Sequence, residues 1–90
     1  MKQHYLKKIH ELDRTIASLR ALAATPDLAA LHRLVVDLKT SLPERLAYEN
    51  SPLLLDGLRV TRVEDVAAYT GHLAARLETI REEYKQLAAG

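Results

Sequence analysis

The 90-residue chain has no cysteine, no tryptophan and no phenylalanine, and each absence removes a class of protein. Without cysteine there is no disulfide framework, no thiolate ligand for zinc or an iron–sulfur cluster, and no thiol nucleophile. The only aromatics are Tyr5, Tyr48, Tyr69 and Tyr84, so the core must be built from Leu, Ile, Val and Ala, which suit closely spaced helices. Glycine is scarce too. Gly57, Gly71 and Gly90 stand alone, which rules out a glycine-rich phosphate loop. Neither charge sign dominates. The 13 basic and 12 acidic residues leave a net charge of +1, giving no field to steer nucleic acid or an anionic membrane. No apolar run approaches the ~20 residues that span a bilayer. The opening Met1 to Lys8 has no apolar stretch of the signal-peptide kind, so a cytoplasmic location is the expectation.

What is present is a globular composition, 48% hydrophobic and 28% charged, with apolar residues at helical spacing. Tyr5, Ile9, Leu12, Ile16, Leu19 and Ala23 recur at intervals of four and three and predict a helix over 2–24. Thr25-Pro26-Asp27 then reads as a cap, with Thr25 at its head and Pro26 opening a second helix over 26–41. That helix carries Leu28, Leu31, Val35, Leu38 and Leu42, and the short link before it implies an antiparallel pair. Ser41-Leu42-Pro43-Glu44 has the form of a capping box and predicts either a short helix over 43–49 or a proline kink. Ser51 to Val60 holds Leu53, Leu54 and Leu55, then Asp56-Gly57, and reads as an irregular connector with apolar contacts. Thr61-Arg62-Val63-Glu64 is a second capping box and predicts the longest helix, over 62–88, with a seam of Val63, Val66, Thr70, Leu73, Leu77, Ile80, Tyr84 and Leu87.

The fold class that follows is all-α, a small antiparallel bundle of three long helices plus a short fourth segment, with heptad-like seams. At ~1.5 Å per residue the last and first helices span ~40 and ~34 Å against ~24 Å for the second. The short helix cannot cover both long ones unless the Pro43 segment extends it or another chain covers the ends. That mismatch predicts a homodimer.

The candidate chemistries fail at the residues that would carry them. His10-Glu11-Leu12-Asp13-Arg14 begins like the zinc-protease pattern H-E-x-x-H, but Arg14 replaces the second ligand. His4, His10, His32 and His72 include no pair on one helical face, so no metal site or cofactor is expected. The first helix has Ile9, Leu12, Asp13 and Ile16 in phase with the pattern of chorismate mutases. Tyr5, however, stands where that family has its anion-clamping arginine. His32 is followed by Arg33, Leu34 and Val35, with no small residue to admit a phosphoryl group. No catalytic residue is assigned, and a non-enzymatic protein is expected.

Val63 to His72 is similar to a helix-turn-helix, with Ala67 and Gly71 at the motif's spacing, and a small DNA-binding transcriptional regulator is the alternative reading. Against it, the heptad passes Gly71 without a change of phase, no cap follows, and Glu78 and Glu82 would face phosphate. The preferred expectation is a protein-interaction module of adaptor, assembly-chaperone or inhibitor type, acting on another protein or on a second copy. Its candidate contact residues are Leu53, Leu54, Leu55, Leu58, Leu77, Ile80, Tyr84 and Leu87. Three consecutive leucines cannot all face one core, so at least one of Leu53 to Leu55 should be exposed.

Overall fold

The apolar residues of the first and last thirds of the chain meet along one line in the computed structural model, which describes residues 2–89. The first helix, α1 (Lys2–Ala24), presents Ile9, Leu12, Ile16 and Leu19, all buried. The last, α5 (Val66–Ala89), presents Val66, Thr70, Leu73, Leu77 and Ile80, also buried. The two lie antiparallel. Tyr5 stacks near Tyr84 with ring centroids 6.0 Å apart, Asp13 accepts from Arg81 at 2.8 Å, and Arg20 pairs with Glu78. These exposed ion pairs hold register more than they add stability.

The remaining helices, α2 (Leu28–Ser41), α3 (Glu44–Glu49) and α4 (Ser51–Leu58), cover one side of that pair. From α2 come the buried Leu31, Val35 and Leu38, and from α4 the buried Leu54. The all-α bundle is therefore as expected, with two short helices instead of one and no strand among the described residues. The molecule measures 42 × 24 × 16 Å, its long dimension set by α1 and α5.

The first helix covers 2–24 as expected, while the starts of the later helices depart from the sequence reading for local reasons. Thr25 does not cap α2, because its amide closes the last turn of α1 on Ala21 O. Asp27 caps instead, accepting from the Ala30 amide at 3.0 Å, and α2 starts at Leu28. Ser41 is the final residue of α2 and caps nothing. Leu42 donates to Leu38 O, then turns extended as a residue before proline must, so Pro43 separates two helices and does not kink one. Thr61 likewise makes no cap. The amide of Asp65 bonds to Arg62 O in a 3-10 turn, Val63–Asp65, and α5 begins only at Val66. Val63 is consequently half-exposed and outside the core, against its expected place in the seam.

The largest correction is α4. The segment read as an irregular connector is helical, begun by a bond from the Leu54 amide to Asn50 O. Pro52 sits in the first turn, where its missing amide costs nothing. Gly57 lies at the point where α4 crosses α5. A Cβ there would stand 2.6 Å from Tyr69 Cζ, so only glycine lets the ring pass. Short helices need such fixings, since segments of this length are marginal alone. Tyr69 donates to Leu53 O at 2.8 Å, Arg76 to Asn50 Oδ1 at 2.7 Å, and Asn50 Nδ2 to Leu46 O at 2.8 Å. On α2, His32 Nε2 lies 2.7 Å from Val60 O and ties that helix to the chain leaving α4.

Candidate protein-binding surface

The three consecutive leucines divide by helical geometry. Successive residues on α4 are ~100° apart, so Leu54 is buried in the core, Leu53 lies half-buried beside it, and Leu55 faces outward. Leu55 is 43% exposed, which meets the expectation that one of the three would be. Leu58 is half-buried against the core.

Leu55 borders a groove of about 340 Å³ between α2 and the α3–α4 pair, lined by Lys39, Glu44, Ala47, Tyr48, Ser51, Leu54 and Leu55. Leu42 turns extended before Pro43, so α3 does not continue the axis of α2. Its inner walls are Ala47 and Leu54, and its rim carries one cation, Lys39, and one anion, Glu44. Tyr48 stands at the edge with 81% of its surface in water. Val36 is half-exposed on the same side of α2, three residues before Lys39. Exposed large apolar groups gathered at a cavity, rather than scattered singly, mark interaction surfaces.

Other predicted contact residues are placed elsewhere. Leu77 and Ile80 are 1% exposed and are spent on the packing of α5 against α1 and α2, as is Leu54 in its own helix. Leu77 and Ile80 therefore leave the candidate surface, whereas Leu54 stays only as part of the groove's inner wall. Tyr84 is half-buried beside Tyr5, where burial, Tyr5 and Glu83 hold its hydroxyl above the ordinary range. Leu87 is exposed near the end of α5, away from the groove. Leu6, near the start of α1, is exposed as well.

Tyr48, Ala47, Lys39, Glu44 and Val36 were missed by the sequence reading. Two signals pointed to them. Val36 is apolar but out of phase with Leu31, Val35, Leu38 and Leu42, and Tyr48 is the one tyrosine outside the two long helices.

A second cleft of about 290 Å³ separates α1 from α2, with Arg14, Thr15, Ser18, Arg33, Asp37 and Ser41 on its walls beside Ala30, Leu34 and Leu38. The first two helices thus touch only lightly, although they are adjacent in sequence. Both arginines are exposed and share the cleft with a carboxylate, so it forms no concentrated anion seat. The buried titratable group is Tyr69. Burial, then the nearby Asp56 charge, push its hydroxyl up to about 12, against the lowering effect of a backbone hydrogen bond at Gly57. It is spent on Leu53 O and the α4 crossing, not on a cavity.

Among the described residues no cluster of His, Asp or Glu could hold a metal ion, and no helix is long and apolar enough to cross a membrane. Gly71 lies inside α5 without a break and without positive φ, so the turn of a helix-turn-helix is absent from that segment. No known protein family, curated protein or solved structure matches this chain.

Proposed function

We propose that the protein is a non-enzymatic interaction module whose contact surface is the groove between α2 and the α3–α4 pair. The observation that carries the reading is Leu55, exposed at the mouth of an apolar groove while its neighbour Leu54 is fully buried. Burying a leucine is worth about 1.5–3 kcal/mol, and Tyr48 adds a rigid aromatic of the type that anchors protein contacts. Adaptors, assembly chaperones and inhibitors all act this way, by occupying a surface on another protein.

A photo-crosslinking residue at Tyr48 tests the reading in cells of the native host, with the same residue at Ala17, on the outer face of α1, as control. Adducts with protein are expected from position 48 and not from 17. Leu55→Glu in the same chain should abolish them while helicity and the thermal midpoint stay near wild type, within about 0.5 kcal/mol. Equal labelling at both positions would sink the assignment. Unfolding by Leu55→Glu would instead place Leu55 in the core.

A further inference from the structure

The groove is complementary to itself, and we infer that a second copy of this chain docks there through a twofold axis, Tyr48 of each entering the groove of the other. The inference rests on reading the groove as a protein-binding surface and names its occupant. An isologous contact requires that whatever one copy offers, it must also receive. Here the cavity, at about 340 Å³, lies in the range that takes compact organic groups, and the aromatic that projects beside it is the most exposed large hydrophobic residue. The rim charges obey the same rule. Lys39 belongs to α2 and Glu44 to α3, and neither belongs to any ion pair among the described residues. A twofold arrangement in which Lys39 of each copy faces Glu44 of the other would form two ion pairs per dimer from one pair of residues. A partner of one charge sign would meet repulsion at one rim.

Sedimentation equilibrium on the full chain at micromolar concentration should give twice the chain mass. Tyr48→Ala should weaken the dimer on the order of thirtyfold, the usual loss for a central aromatic anchor, with unchanged helicity because the ring is exposed in the monomer. Lys39→Glu and Glu44→Lys should each weaken it about tenfold by turning two attractions into repulsions. Mixing the two singly reversed chains should then restore association, since in the mixed pair every reversed side chain faces its opposite. A charge effect confined within one chain would be repaired by reversing both residues together and not by mixing, so failure of the mixture overturns the proposal. So does a wild-type monomer across the concentration range. The crosslink at position 48 separates this failure from that of the broader reading. An adduct of twice the chain mass supports self-docking, and an adduct of any other mass overturns it while leaving a protein-binding groove. Absence of any adduct overturns both.

Discussion

Along α1 and α5 one seam repeats every three or four residues for about six turns, whereas the helices that cover it have 14, 6 and 8 residues. In the long pair each side chain is one of many equivalent contacts, and register comes from repetition. In the covering layer each helix is placed by a few particular contacts: Gly57 beneath Tyr69, Asn50 joined to Arg76 and Leu46, His32 joined to Val60. The lesson is a division of labour. The repetitive pair supplies the support, and the irregular layer of short helices leaves the groove.

The sharpest way to break the contrast is to weaken the support. Leu77→Ala removes a side chain that is 1% exposed and should cost about 2–5 kcal/mol. For a chain this small that is a large part of total stability, so denaturant melts should show global loss of helix, groove included. Loss of α2 to α4 alone, with α1 and α5 still helical, would show that the layer and the long pair do not unfold as one unit.

Gly57→Ala probes the layer at its tightest point. The added methyl meets a buried ring that is hydrogen-bonded in place, so a loss of about 1–3 kcal/mol is expected. Hydrogen exchange should rise first in α4 and the Leu53 to Leu58 backbone. An unchanged melt would mean that Tyr69 moves freely aside.

Alkali probes the same contact without mutation. The Tyr69 hydroxyl is raised from 10.0 to about 12, so the unfolded chain loses this proton more readily than the folded one. Its contribution, on the order of 2 kcal/mol, is fully present below pH 10 and is lost as pH climbs towards about 12. Thermal midpoints measured across that window should fall less steeply in Tyr69→Phe, which has no such proton. Parallel curves would remove Tyr69 from the account.

The smallest effect is expected in the long pair, at Gly71. Its φ is ordinary and a Cβ there would meet nothing within 4 Å, so Gly71→Ala should stabilise by up to about 1 kcal/mol. The two glycines thus give opposite signs under one substitution. A lowered melting point for Gly71→Ala would reopen the question of a turn in α5.

The long helices were legible because their signal is periodic and redundant: losing Val63 and Leu87 from the seam left Val66, Thr70, Leu73, Leu77 and Ile80 to mark it. The caps were less legible. Thr25, Ser41 and Thr61 each had the right side chain, but their surroundings assigned the work elsewhere: Thr25 closes α1 and Ser41 ends α2, while Asp27 caps α2 and a 3-10 turn precedes α5. Of the candidate site, the exposure of one leucine among three could be reasoned from geometry. Which residues would surround it could not.

By itself the sequence determined an all-helical chain with two long seams and an exposed leucine after Pro52, because periodicity and the ~100° step between residues act locally. Tertiary structure alone decided that the connector is a helix. Gly57 lowers its intrinsic tendency, and only the crossing of Tyr69 with its bond to Leu53 O explains the glycine. Tertiary structure likewise decided that Leu54, Leu77 and Ile80 are core while Leu55, Tyr48, Lys39 and Glu44 frame a cavity. That outcome depends on how α3 leaves α2 at Pro43, and the angle between two helices is set by what both pack against, which no stretch of sequence encodes alone.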